Sequence, residues 1–147
     1  ETGAFLAGEM SGHIFFNDNW FGFDDAIYAG ARLLSILADE ENIIHFFREL
    51  PDSFCTPEIK LEIKDFSADD LLNRLKNKKL FPRASNFYFL DGIRIEYEDG
   101  FGLARLSNTT PVIVFRFEGD SKVALESIME DFRNSLTSII KNIALPF

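Results

Sequence analysis

Cysteine is nearly absent. Cys55 is the single one, so no intrachain disulfide framework is possible, and no Cys/His spacing suggests a structural zinc site. A reducing, cytoplasmic setting is the expectation that follows. No apolar run approaches the roughly 20 residues of a membrane-spanning helix, and no secretory signal pattern is visible. Positive charge is also scarce: 15 Lys and Arg face 24 Asp and Glu, for a formal net charge of -9. That excludes a broad nucleic-acid footprint, because phosphate backbones require clustered cations. It leaves room for a small anion held by a few well-placed donors. Internal repeats and low-complexity segments are missing too. So is an initial Met: the chain opens ETGAFLAG, and the apolar stretch 4–7 begins with no cap or turn before it. This start reads as a cut inside a domain.

What is present is the composition of a globular protein, 46% hydrophobic and 27% charged, with 17 Phe among 147 residues. That supports one ordinary domain or two small ones with a real core. Residues 3–7 read as a short strand, GEMSGH at 8–13 as a loop, and 13–16 as a second extended piece. Asp24 or Asp25 caps a helix whose apolar positions Ile27, Ala31, Leu34 and Leu37 recur at helical spacing. Trp20 and Phe21 read as packing beneath the loop that precedes it. A shorter helix follows and stops at Pro51; His45 reads as a residue of its surface. The stretch 51–57, with prolines at both ends, reads as a hinge. Beyond it the pattern changes. KLEIKDF alternates as a strand, and Ser67 with Asp70 forms a capping box for a helix reaching Asn77. NFYFL and IRIEY flank Asp91-Gly92, a hairpin signal for a two-residue turn with both positions at positive φ. GLARL and VIVFRFEGD are further strands. Residues 121–142 form a long helix with Val123, Leu125, Ile128, Met129, Phe132, Leu136 and Ile139 on its apolar face. One sheet covered by helices, an α+β layer, is the expected architecture of the second region.

Two loops could carry chemistry. The segment 105–111, RLSNTTP, gathers a guanidinium, three hydroxyls and an amide between two strands, which is a phosphate-binding composition. Ser, Asn and Thr are also ordinary turn residues. The segment 8–13 offers Glu9 as an acceptor for two hydroxyl hydrogen bonds, Ser11 and His13 as further contacts, and glycines that permit close approach. It could equally be a plain strand connection.

Taken together these motifs resemble a family. GEMSGH with FFNDNWFGFDDAIYAGARLL is similar to the sugar-binding loop and following helix in the third domain of the α-D-phosphohexomutases. TPEI at 56–59 resembles their hinge. LDGIRIEY, GFGLARLSNTTPVIVFRFEGD and the terminal LPF resemble their fourth domain. The letters of both loops are closest to the bacterial phosphomannomutase/phosphoglucomutase type.

The resemblance implies an incomplete α/β domain 3 over 1–50, a hinge at 51–57, and a domain 4 over 58–147. That last domain would be a mainly antiparallel four-stranded sheet with two helices, of the TATA-box-binding-like kind. It implies an isomerase that moves a phosphoryl group between O1 and O6 of a hexose through a bisphosphorylated sugar, with Mg2+ in the whole enzyme and hexose 1,6-bisphosphate as activator or intermediate. Phosphorylated hexoses and the missing N-terminal domains are the implied partners. By motif, Glu9, Ser11 and His13 would bind sugar hydroxyls, and Arg105, Ser107, Asn108, Thr109 and Thr110 the non-reacting phosphate. No catalytic or metal residue is assigned here. The chain has no His-Asn-Pro-type phosphoserine loop and no DGDxDR-like metal loop, so it is expected to be inactive alone. The rival readings are a non-catalytic phosphosugar-binding module and a phosphoglucosamine mutase.

Overall fold

The computed structural model describes residues 3–9, 11–64, 66–107 and 109–147. They fall into two compact units, Glu1–Pro51 and Asp52–Phe147.

In the first unit, β1 (Leu6–Gly8) and β2 (Ile14–Phe16) pair antiparallel, Leu6 opposite Phe16 and Gly8 opposite Ile14. Two helices follow, α1 (Ala26–Ala38) and α2 (Ile43–Arg48). Asp25 starts α1 by accepting from the Tyr28 N–H at 2.9 Å. Asn42 starts α2 by accepting from His45 at 3.0 Å. These are the short polar side chains that satisfy orphan helix donors. The expected apolar face of α1 is not a core face. Ile27 is 87% and Leu34 67% exposed, and no described residue of the unit is buried. The helix instead leans on β2 through Tyr28 and Arg32. Tyr28 meets Phe16 edge-on at 5.4 Å and stacks flat on Trp20 at 4.1 Å. Arg32 lies 4.6 Å above the Phe16 ring and donates to Asp18 at 3.2 Å. Trp20 therefore packs under the 17–24 loop, as its sequence position suggested, but Phe21, expected to pack with it, is 81% exposed.

The second unit is built on β4 (Ile59–Glu62), β6 (Ile93–Tyr97), β7 (Gly100–Leu106) and β8 (Val112–Gly119), with short additions at β3 (Phe54–Cys55) and β5 (Asn86–Tyr88). Every pairing is antiparallel. The order across the sheet is β3-β8-β7-β6-β5, with β4 sharing β3's side of β8. The helices α3 (Ala68–Leu75) and α4 (Lys122–Ile139) start at Ser67 and Ser121, whose hydroxyls accept from Asp70 and Ala124. Alternation along the strands sends Ile93, Ile95, Ile113, Phe115 and Phe117 to the helix face, where Phe81, Ile128, Phe132 and Leu136 complete a core of fully buried side chains. The final residue joins it. The Phe147 ring sits 5.2 Å from Phe115 and 4.9 Å from Phe117. Gly102 lies beneath Phe132, where an added Cβ would come 2.3 Å from the ring.

Two local expectations change, and the stretch read as a hinge also joins the sheet. The hairpin between β5 and β6 is not a two-residue turn. β5 ends at Tyr88 and β6 begins at Ile93, so residues 89–92 make the connection, and of the Asp91-Gly92 pair only Gly92 has a positive φ. Its Cβ position is occupied: an added carbon would stand 2.3 Å from the Ala104 carbonyl and 2.8 Å from the Arg105 Cβ. The glycine is there for a close approach to β7. Val123 is 79% exposed; it stands in the first turn of α4, beyond the sheet's reach. Finally, the stretch 51–57 holds ladder positions. Phe54 pairs with Gly119 and Cys55 with Glu118, Thr56 gives its N–H to the Phe117 carbonyl at 3.0 Å, and its hydroxyl accepts from the Phe117 N–H at 3.1 Å. Ile59 then pairs with Phe115. Pro57 and Glu58 thus stand together opposite Arg116, a β-bulge on an edge strand where proline's missing N–H costs nothing.

Candidate functional site

The first candidate loop connects β1 to β2. Glu9 donates its N–H to the His13 carbonyl at 2.9 Å, and Gly12 donates to the Glu9 carbonyl at 3.0 Å with φ +87. The turn is closed by backbone bonds, and Gly12 takes the left-handed conformation that other residues resist. Ser11 donates its hydroxyl to Glu9 Oε2 at 3.1 Å. His13 Nδ1 lies 2.5 Å from Asp24 Oδ2, while Asp24 Oδ1 accepts from the Ile14 N–H at 3.2 Å. Both side chains are about half exposed. The Asp24 carboxylate, first by hydrogen bond and then by charge, holds His13 above its ordinary pKa of 6.5. Glu9, Ser11 and His13 thus share one exposed turn. The residue that sequence reasoning missed is Asp24. Two adjacent aspartates before a helix signalled a cap, but only Asp25 can occupy the cap. The spare carboxylate, freed for His13, was the available signal.

The second loop connects β7 to β8. The ladder continues one step past β7 because Ser107 donates its N–H to the Val112 carbonyl at 3.0 Å. Arg105 and Ser107, two residues apart, therefore share a sheet face. That face is the one away from the helices, since Gly102 and Ala104 are the buried positions of β7. Ser107 also organises the turn. Its hydroxyl lies 3.0 Å from the Thr110 hydroxyl and 3.4 Å from that of Thr109, and it accepts from the Thr110 N–H at 3.3 Å. Thr109 and Thr110 are exposed and Arg105 and Ser107 half-buried. The Arg105 guanidinium has no hydrogen-bond or ion-pair partner among the described residues. Asn108 lies outside the described residues. A fixed fork of donors beside clustered hydroxyls and turn N–H groups can receive a phosphate oxygen set. Among the described residues, no group of three His, Cys, Asp or Glu could hold a metal ion.

Known proteins match nearly the whole of this chain. Residues 58–135 fit the model of the phosphoglucomutase/phosphomannomutase C-terminal domain, and residues 1–54 fit that of the family's alpha/beta/alpha domain III. The chain belongs to the phosphoglucomutase/phosphomannomutase family. A phosphomannomutase/phosphoglucomutase from Pseudomonas aeruginosa is 46% identical over 148 residues, covering 100% of this chain and 32% of that protein. A phosphoglucomutase from Neisseria meningitidis is 47% identical over 139 residues, covering 94% of this chain and 30% of that protein. The crystal structure of a family protein from Burkholderia thailandensis superimposes with a TM-score of 0.87 at 49% identity, over 99% of this chain and 31% of that one. The chain therefore spans about a third of the length of the relatives it matches.

Proposed function

We infer that this chain is the sugar-reading and phosphate-anchoring part of a phosphomannomutase/phosphoglucomutase, a phosphohexomutase isomerase that interconverts hexose 1-phosphate and 6-phosphate. The observation that carries this reading is the segment 105–110: a guanidinium without a partner among the described residues and a serine on one sheet face, followed by a turn whose hydroxyls already cluster. Arg105 supplies a fork of donors with permanent charge, and Ser107, Thr109 and Thr110, with Asn108 by motif, supply the rest of the phosphate's contacts. Hydrogen bonds to an ionised partner are worth about 1.5–3 kcal/mol each, so few are needed. Glu9, ordered by the Ser11 hydroxyl, accepts from sugar hydroxyls. His13, held by Asp24, presents its other ring nitrogen to them.

Residues 1–50 are then part of the family's third domain, 51–57 its hinge and 58–147 its fourth. The phosphoserine that donates the phosphoryl group, and the Mg2+ that assists transfer when bound, belong to domains outside this chain. A bisphosphorylated hexose is the intermediate, and the cytoplasm the setting. The exposed apolar face of α1 supports the presence of further domain 3 structure against it.

The test is a titration followed by backbone amide shifts, using glucose 1-phosphate, mannose 1-phosphate, glucose and inorganic phosphate. All phosphate-bearing ligands should move Ser107, Thr109 and Thr110, and only phosphosugars should also move Glu9 and Ser11. Silence of both loops toward every ligand, in this chain and in one extended to the full length of its relatives, would sink the reading.

A further inference from the structure

We propose that the cavity between β4 and the C-terminal tail binds a small amphipathic anion, a phosphate or carboxylate carried on an apolar body. Such a site is separate from the 105–110 loop and independent of the phosphohexomutase reading of that loop.

The cavity exists because two extended stretches run side by side without pairing. β4 is an edge strand. The Ile63 N–H bonds the Pro111 carbonyl at 3.1 Å, so Ile59, Leu61 and Ile63 aim their backbone groups at β8. Lys60 and Glu62, between them, aim theirs outward. The other wall is the tail. The chain leaves α4 through Asn142 at φ +61, a left-handed conformation that Asn tolerates better than most residues. It ends at Phe147, packed on Phe115 and Phe117, with Ile143 and Leu145 also packed against the core. No backbone hydrogen bond joins this tail to β4 among the described residues. The gap is a cavity of about 640 Å³, within the size range of small-ligand pockets.

Its lining is divided. Leu61, Phe66 and Leu145 contribute an apolar side, while Lys60, Lys64 and Lys141 contribute cations, and Glu62 is the one acid among the described lining residues. That reverses the balance of the chain, in which 24 acidic residues outnumber 15 basic ones. Glu62 is already engaged, accepting from Lys64 Nζ at 2.8 Å. Lys60 and Lys141 have no ion pair or hydrogen bond among the described residues, whereas Arg74, Arg83 and Arg133 of the same unit each meet a carboxylate. Lysines on an edge strand discourage pairing with another chain, which accounts for Lys60 and Lys64. It does not account for Lys141, which comes from the opposite wall. Two ammonium groups lining one gap repel, and an anion between them turns the repulsion into attraction. The outward N–H groups of β4 are further donors on the same wall. An apolar body covering Leu61, Phe66 and Leu145 adds the hydrophobic contribution that a bare anion lacks. Lys60 pairs with Val114, and Val114 with Arg105, so β8 separates this cavity from the arginine of the phosphate loop.

The experiment titrates the 147-residue chain with naphthyl phosphate and, separately, with inorganic phosphate and with naphthol, at ionic strength held constant with chloride. Backbone amides of 60–63 and 141–145 report the cavity, those of Thr109 and Thr110 the phosphate loop, and those of β6 and β7 the fold. Naphthyl phosphate should shift the cavity amides saturably, and neither inorganic phosphate nor naphthol should do so at the same concentration. Lys60→Gln and Lys141→Gln should each weaken it about threefold and together about tenfold, as for the loss of exposed charge pairs. Lys60→Arg keeps the charge and should bind like the parent. The inference is wrong if naphthol matches naphthyl phosphate at the cavity, or if the double glutamine variant binds like the parent. It is also wrong if a chain extended to the full length of its relatives loses the response, because the cavity is then a surface that the added domains cover. Silence of Thr109 and Thr110 toward every phosphate, with the cavity amides responding as described, would count against the loop reading and leave this site standing.

Discussion

No described residue up to Pro51 is buried, while those from Asp52 onward close a core in which Phe81, Phe115, Phe117 and Phe132 are fully enclosed. Both regions were cut from similar material: amphipathic helices with polar caps, short antiparallel strands, many phenylalanines. The difference is whether an apolar face finds a partner within the chain. In α4 it does. In α1 the stripe containing Ile27 and Leu34 faces outward, and order comes instead from an aromatic stack, an arginine over a ring and helix caps. Caps and exposed pairs contribute about a kilocalorie each, whereas a buried phenylalanine contributes several.

The largest way to break this comparison is Phe132→Ala. It should cost about 3–5 kcal/mol of stability in the second region, read by denaturant unfolding. Leu34→Ala in the first should change unfolding by less than about 0.5 kcal/mol, the usual range of surface substitutions. Hydrogen exchange gives the sharper form. Phe132→Ala should lower protection in β6, β7 and β8 and leave that of α1 unchanged. Equal loss in both would show that the regions unfold together.

Next in size is Gly92→Ala. A non-glycine residue at φ +80 costs about 1–3 kcal/mol in backbone strain, and the added carbon must also push against Arg105. We expect a loss of about 2 kcal/mol or more by that strain, together with weaker phosphate binding, because β7 shifts at the arginine itself. A stable variant with unimpaired binding would show that the glycine serves the turn alone.

A smaller effect is expected from Thr56→Val. The hydroxyl that accepts from the buried Phe117 N–H is lost while the shape is kept, which should cost about 1–3 kcal/mol for an unsatisfied donor. Thermal unfolding checks it, and Thr56→Ser should restore most of the loss.

These positions also show what could be read before the structure. Capping was legible at Ser67 and at the Asp24-Asp25 pair, since each cap acts on an N–H three residues away. Strand alternation was legible for the same reason, but that Arg105 and Ser107 share a face was not, because the Ser107–Val112 backbone bond extends the ladder into what reads as loop. Non-local facts were not. Nothing near Asp91-Gly92 says that its glycine is required by Ala104 and Arg105 on another strand. Nothing in PDSFCTP says that Thr56 completes a ladder with Phe117, because Pro57 carries the local signature of a break. The outward aim of Ile27 depends on the absence of a partner, which helical spacing alone does not register. In the first candidate loop, Glu9, Ser11 and His13 were visible as a polar turn, but Asp24, eleven residues from His13, needed the fold.

That last pair gives the smallest effect and the most specific one. Asp24 raises the His13 pKa above 6.5 by hydrogen bond and charge, and both groups are substantially exposed, so the contribution is local rather than global. A histidine whose folded value is raised stabilises while protonated. The ordering of the 9–13 turn by this pair is fully present below 6.5 and is lost as pH rises through the folded value. Titration of the imidazole by NMR should therefore give a midpoint above 6.5, and Asp24→Asn should lower it, while the protection of β6 to β8 does not move at any pH in that window. Asp24→Asn keeps an oxygen that can accept from the Ile14 N–H, so the β2 backbone should stay in place. A midpoint unaffected by that substitution would mean that the two side chains meet without sharing a proton. The exposed turn would then owe its shape to the Glu9–His13 and Gly12–Glu9 backbone bonds alone.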